Sequence, residues 1–426
     1  MLNKRLYSYI IPNIFAMLGI SCYVLADTFF ISTAAGINGI TALNLTLPVY
    51  GIMFAIGAML GTGAATKFSL EKVRLGGKSE TWFASSFLWA VLISLIFVVL
   101  GLFFPAHILR LMGADDTIAA TGETYLRTVL LCAPLFLVNY VVTAFARNDN
   151  GPNVAMAATL CSSFFNILFD YMLMFPLGLG MFGAALATGL SPLVSILVCM
   201  VHYLSEKNTI RFVWHLPRVK DLLTAFQLGI SAFVGEISGA VTNLVFNSLL
   251  LSLSGNVAVA AYGVVANVSI LGIAIFNGVS QGLQPMASEA EGLNDGAAKR
   301  QILRQSLLIG VGLSAVLVAA LWLLAEPVVL VFNSEGSARM AELAQEGLRL
   351  YSLGFLVATA NIVLAGFYGA VGKVRDCFVI SILRGVAAIT AFAFLLSALF
   401  GIWGVWLAFP VAEAFTLLVC LAIRKK

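Results

Sequence analysis

The chain has 426 residues, 61% of them hydrophobic and only 10% charged, with a formal net charge of +4. A soluble protein of this length needs far more polar surface, so composition excludes a soluble globular fold. The small positive charge does not imply a nucleic acid partner, because the basic residues sit where membrane topology places them.

Apolar runs near or above the ~20 residues needed to cross a bilayer recur along the whole length. Taken in order, they predict twelve spans: 7–33, 39–66, 82–106, 122–146, 153–176, 183–204, 222–252, 257–288, 304–332, 345–370, 376–398 and 402–423. The first run carries Asp27 and reads as a retained span rather than a cleaved leader. Six cysteines lie scattered in apolar segments without a C-x-x-C pair, and His107, His202 and His215 sit near span ends. Neither set signals a disulfide framework or a metal site.

Lys and Arg set the expected topology. With the N-terminus cytoplasmic, the inner side holds Lys4, Arg5, Lys67, Lys72, Arg74, Lys78, Arg147, Lys207, Arg211, Arg218 and Lys220. It also holds Lys299, Arg300, Arg304, Lys373, Arg375, Arg424, Lys425 and Lys426. These are 19 of the 24 basic residues, and only Arg110, Arg127, Arg339 and Arg349 fall outside. That asymmetry is the positive-inside pattern, with both termini inside a plasma membrane.

The chain also repeats itself. Gly63 and Ser69 correspond to Gly282 and Ser288, Leu126-Arg127 to Leu348-Arg349, Phe145 to Phe367, and Gly183 to Gly404, at offsets of 219 to 222. Six spans per half is an even number, so both halves enter the membrane in the same sense, as in transporters built from parallel repeats. The expected organisation is an N-terminal lobe at 1–206, a polar cytoplasmic linker at 207–221 and a C-terminal lobe at 222–426.

Charges inside spans are the functional candidates, because intramembrane ionisable groups are costly and usually face a bundle interior or a wet cavity. Asp27 lies past the middle of span one. Asn166 and Asp170 are four residues apart in span five, on one helical face. Both carboxylates fall at comparable depth in the outer half of the membrane. A pair so placed favours holding one proton or an alkali cation. Glu236 in span seven is a candidate second acidic site, an anionic wall for cationic substrates, or a structural acid. Arg384 and Glu413 lie at similar depth in spans eleven and twelve and read as a structural pair, the least costly way to keep both charges in an apolar bundle. Pro12 is either a hinge in span one or a helix-start proline. Pro48, Pro134, Pro192, Pro285 and Pro410 are further candidates for bends.

Four motifs in order resemble the multidrug and toxic compound extrusion (MATE) family of the MOP flippase superfamily, over essentially the whole chain. They are Ala-Asp27-Thr28 in span one, Asn166-x-x-x-Asp170 in span five, Gly183-Ala-Ala-Leu-Ala-Thr188 opening span six, and Gln281-Gly282-Leu-Gln284-Pro285-Met-Ala-Ser288 closing span eight. The resemblance implies an all-α integral membrane fold of two six-helix lobes forming a V around a central cavity. It implies a cation-coupled antiporter in which Asp27, Asn166, Asp170 and Thr188 line a cation-responsive cavity. Where some members carry a further carboxylate in span ten, this chain has Asn361.

The leading expectation is therefore efflux of amphipathic, often cationic, compounds in exchange for H+ or Na+, by a monomer in contact with membrane lipids, with no other cofactor. A lipid-linked saccharide flippase of the same superfamily is the alternative, but it favours cationic cavities that meet pyrophosphate, whereas the deep charges here are mostly acidic. An enzyme needs a nucleophile or metal constellation that the sequence lacks, and a primary pump needs a nucleotide domain. A channel would pass ions without a coupled substrate.

Overall fold

The computed structural model describes residues 2–74, 81–210, 213, 216–332 and 337–424, and they are almost entirely helical. Lys78, Arg211, His215, Lys425 and Lys426, used above, lie outside the described residues. Ten helices are long and apolar enough to cross a membrane, and one bent pair makes an eleventh crossing. The 74-residue helix Val219–Gly292 breaks at Ser254 and Gly255, where the backbone leaves helical geometry. Divided there into 219–253 and 256–292, it supplies spans seven and eight, and the twelve expected crossings are accounted for.

The repeat read from the sequence is written into the backbone. Leu2–Gly36 turns into Thr41–Arg74 through Gly36 at φ 59°. Its counterpart is Gly255 at φ 68°, 219 residues on. Both positions have positive φ, where a Cβ is strained and glycine is not. Asn150 (φ 64°) and Gly372 (φ 76°) turn spans four and ten into spans five and eleven at an offset of 222. The Asp115 side chain caps Asp116–Leu131 by accepting from the Ile118 N–H. Ser337 does the same for Ala338–Ala370 with the Met340 N–H, again 222 residues on.

The two halves differ where proline intervenes. Span four is Asp116–Leu131 followed by Ala133–Asn148, bent by 46°. Pro134 has no N–H to continue the ladder past Cys132. Span ten, Ala338–Ala370, has no proline and runs unbroken. Pro48, Pro192, Pro285 and Pro410 stay inside continuous helices. Of the bend candidates, Pro134 alone coincides with a break among the described residues.

Packing groups the chain into two compact units. One is Phe15–Glu236 with Ser288–Asn294, and the other is Met1–Ile14, Ile237–Ala287 and Asp295–Lys426. Within the first, span two crosses the start of span seven at backbone contact. A Cβ on Gly63 would sit 1.8 Å from the Ala225 carbonyl oxygen, and one on Gly229 1.9 Å from that of Met59. Within the second, Gly282 of span eight lies on Ile10 of span one, where a Cβ would be 2.6 Å from Cα. Gly63 and Gly282 are repeat equivalents, and so, 219 residues apart, are Ile10 and Gly229. The same crossing is thus built twice.

A buried carboxylate fixes one end of the first unit. Asp149, fully buried in the turn between spans four and five, accepts from Lys72 Nζ at 2.7 Å and from His202 Nε2 at 3.1 Å. It also accepts from the Thr209 N–H at 2.8 Å and from the Thr209 hydroxyl. Burial opposes its charge, but the donors from His202, Lys72 and Thr209 outweigh it and hold its pKa below the ordinary carboxylate value. Span two, span six and the start of the linker are tied together through one side chain.

The crossing carries a direct prediction. Gly63→Ala must push span seven away from span two and should destabilise by about 2 kcal/mol or more. Gly51→Ala, where a Cβ meets nothing within 4 Å, should be neutral or stabilise by up to about 1 kcal/mol. Thermal melts followed by size exclusion in detergent compare the two. Equal melting of Gly63→Ala and wild type would show that the backbones do not meet as described.

Candidate cation site and its surroundings

The site is assembled from five helices of the first unit. Asp27 is carried by Leu2–Gly36, Tyr50 by Thr41–Arg74 and Tyr125 by Asp116–Leu131. Asn166 and Asp170 come from Pro152–Met174, and Thr188 from Gly180–Tyr203. Close packing of the last two helices sets the geometry: Gly183 lies against the Leu173 backbone, where a Cβ would meet the carbonyl carbon at 2.9 Å. That approach brings Thr188 beneath Asn166, whose Nδ2 donates to Thr188 Oγ1 at 3.3 Å.

Beyond Thr188 a chain of polar side chains continues to the neighbouring Tyr125 hydroxyl and from there to Tyr50. The carboxylates stand beside this chain. Asn166 and Asp170 are fully buried and Asp27 is 8% exposed. Asp27 acts electrostatically on Asp170, on Tyr50 and on Tyr125, so the two acids share one neighbourhood.

Its unpartnered buried atoms are all of one kind. Asp27 Oδ1, Asn166 Oδ1 and both carboxylate oxygens of Asp170 are buried without a hydrogen-bond partner among the described residues. All are acceptors. Such groups carry a desolvation penalty until a proton or a cation meets them. The arrangement can take up H+ directly, or coordinate a hard cation through carboxylate and amide oxygens.

Glu236 joins this neighbourhood. It is exposed, at the end of the first unit, with Gly235 and Gly239 opening space around it. Tyr23 lies in the field of Asp27, Asp170 and Glu236 together, and Tyr140 feels Glu236 and Tyr23. Tyr23, Tyr50 and Tyr125 were not singled out from the sequence. One tyrosine among 11, in a chain with 31 phenylalanines, gives no periodic signal, and only what surrounds its hydroxyl marks it.

The other candidates sit elsewhere. Ser280 Oγ, beside the signature Gln281, donates to the Ile362 carbonyl at 3.1 Å. A Cβ on Gly366 would lie 3.3 Å from Gln284 Nε2, so span eight and span ten interlock here. Pro285 and Ser288 are buried. These residues belong to the helix crossing rather than to the carboxylate cluster. Pro12 is buried within a continuous helix, and Asn13 Nδ2 donates to the Tyr9 carbonyl at 2.8 Å.

In the second unit Arg384 and Glu413 form an ion pair at 2.9 Å, with Glu413 1% exposed. Asn361 donates from Nδ2 both to Glu413 Oε2 at 2.7 Å and to the Glu413 carbonyl at 2.8 Å. Arg384 stands in a π-helical turn, Leu383–Ala387, inside span eleven. The sequence signalled neither the amide partner nor the widened turn.

Comparison with known proteins bears on the family and the fold. The MatE family model matches residues 12–172 and again 232–392, an offset of 220. The Multidrug export protein MepA of Staphylococcus aureus (strain MRSA252) is 28% identical over 426 residues, covering 99% of this chain and 93% of its own. A solved structure described as MATE in the straight conformation overlays with a TM-score of 0.91 at 20% identity, covering 100% of this chain and 97% of its own. A MOP superfamily transporter from Pyrococcus furiosus, described as having a reverse polarity of its binding pocket, overlays at 0.89 with 20% identity, covering 99% and 94%.

The ion pair in the second unit is testable without a transport assay. Arg384→Ala strands a buried carboxylate and should cost roughly 3–5 kcal/mol, whereas Arg384→Ala with Glu413→Ala removes both charges. The double variant should therefore yield more monodisperse protein than the single one. Equal yields would mean that the pair does not hold spans eleven and twelve together. Twelve crossings, a repeat offset near 220 that recurs in sequence, backbone and family match, and a buried acid cluster on the expected spans lead to one conclusion: the chain is a multi-pass membrane protein of the MatE family.

Proposed function

We propose that the chain is a secondary active antiporter that exports amphipathic, often cationic, small molecules by alternating access, driven by inward movement of H+ or Na+. The observation that carries this is the cluster of unpartnered acceptor oxygens on Asp27, Asn166 and Asp170. A cation arriving there neutralises the cluster and removes its desolvation penalty. Its departure restores a charged, poorly solvated site, so occupancy favours one conformation over another. Thr188 positions Asn166, and Tyr125 and Tyr50 add polar hydroxyls beside the acids. The relative named as a multidrug export protein supports a small-molecule cargo.

In this reading the lobes 1–206 and 222–426, joined by the linker 207–221, are the moving halves, with both termini cytoplasmic. Glu236 serves as an exposed anionic wall that draws organic cations toward the Asp27 neighbourhood. Pro12 acts as the hinge of span one. It lies two residues before the point where that helix passes from one packing unit to the other, between Ile14 and Phe15. Arg384 is held by Glu413, so it offers no free guanidinium to a pyrophosphate, and this weighs against the flippase alternative. The antiporter works as a monomer, with no catalytic step.

The test is reconstitution in liposomes under an imposed pH or Na+ gradient, following a fluorescent organic cation. Asp27→Asn should fold and insert normally but lose gradient-driven efflux, because an amide neither releases a proton nor neutralises a metal cation. Efflux by Asp27→Asn at the wild-type rate would overturn the assignment.

A further inference from the structure

The second packing unit carries a groove that the transport reading does not use. Along Gly296–Leu323, residues Ala315, Val318, Ala319 and Trp322 recur at helical spacing and make one stripe. With Leu323 and with Leu356 of Ala338–Ala370 they line an open, almost wholly apolar groove of about 450 Å³. It exists because Ala315 and Ala319 stop at Cβ while Trp322 and Leu356 project beyond them.

One wall of this groove is fixed and one end is charged. Trp322 Nε1 donates to the Arg349 carbonyl oxygen at 3.2 Å, which locks the indole against span ten. Arg349 precedes Leu356 by seven residues, so it lies on the same helical face, about 10 Å along the axis. It is exposed and makes no ion pair among the described residues, and Glu346 one turn earlier is not joined to it. Lys299, Arg300 and Arg304 lie at the opposite end of Gly296–Leu323. A tryptophan and an arginine together mark the level of lipid headgroups.

We propose that this groove is a phospholipid site, one acyl chain lying along Ala315 and Ala319 and its phosphate meeting the Arg349 guanidinium. An apolar groove facing hydrocarbon does not hold water, since its lining offers no hydrogen-bond partners. A cation at its headgroup end forms a charge-assisted contact with phosphate that an uncharged lipid does not reproduce. A helix from a second copy of the chain, about 10 Å across, is too broad to enter a slot made by two missing side chains.

Native mass spectrometry of the full chain in detergent, titrated with phosphatidylglycerol and separately with diacylglycerol of the same chains, tests this. Wild type should bind one phosphatidylglycerol that Arg349→Ala holds about fivefold more weakly. Ala319→Phe, which fills the groove, should hold it about tenfold more weakly or worse. Diacylglycerol should bind more weakly and be indifferent to Arg349→Ala. Melting in lipid-free detergent checks folding; should Ala319→Phe melt early, the exposed Arg349→Ala decides alone. Phosphatidylglycerol binding unchanged in Arg349→Ala would overturn the proposal. So would diacylglycerol binding as tight as phosphatidylglycerol, or a dimer that Ala319→Phe dissolves.

Discussion

Burial of unpaired carboxylates in a hydrocarbon bundle is the constraint on which the rest depends. Asp27 and Asp170 lie where an isolated ionised carboxylate is costly, and no lysine or arginine pairs with either among the described residues. The Asp149 turn handles the same problem differently, surrounding its carboxylate with Lys72, His202 and Thr209. Glu413 is paired with Arg384 and Asn361. Two of the buried acids thus have both carboxylate oxygens partnered and serve as ties between helices, although Asn361 Oδ1 and Arg384 Nε are themselves unpartnered among the described residues. The third has carboxylate oxygens without a partner among the described residues, and on that difference rests the proposal that it is the coupling site.

The frame makes this possible by bringing backbones unusually close. Span six lies against span five through Gly183, and span two meets span seven through Gly63 and Gly229. Small residues at such crossings are how helices pack when no hydrophobic driving force remains between them. Five helices then converge on one polar cluster without opening it widely to solvent. The repeat supplies the crossings twice, but only the first copy carries the unpartnered acids. In the second copy, the polar centre is the Asn361, Arg384 and Glu413 network, in which the carboxylate is paired. Equivalent frames have taken different chemistry.

Much of this was legible in the sequence because hydropathy and charge act at every residue. The twelve spans and the repeat offset follow from patterns tens of residues long, and Asp27 and Asp170 stand out as charges inside apolar runs. The positive-φ glycines at 36 and 255 were present in the repeat but carry no hydropathy signal. Asp149 reads as an ordinary acid in a polar turn, and its burial depends on Lys72 and Thr209, remote in sequence. Tyr50 and Tyr125 matter through a single hydroxyl each. Pro134 looks like Pro192 or Pro410 in sequence, yet only the first coincides with a break, because tertiary packing decides whether a helix closes over a missing hydrogen bond.

We propose that Asp27 and Asp170 hold one cation jointly rather than one each. Coupled acids titrate as a pair, with macroscopic values that belong to neither residue. The most direct measurement is cation stoichiometry in detergent: proton release on adding an organic cation, and Na+ binding at fixed pH, for wild type, Asp27→Asn, Asp170→Asn and the double variant. One cation-linked event is expected in the wild-type protein and none in any variant. Two events in wild type, with one surviving in each single variant, would contradict it and divide the cluster into separate sites.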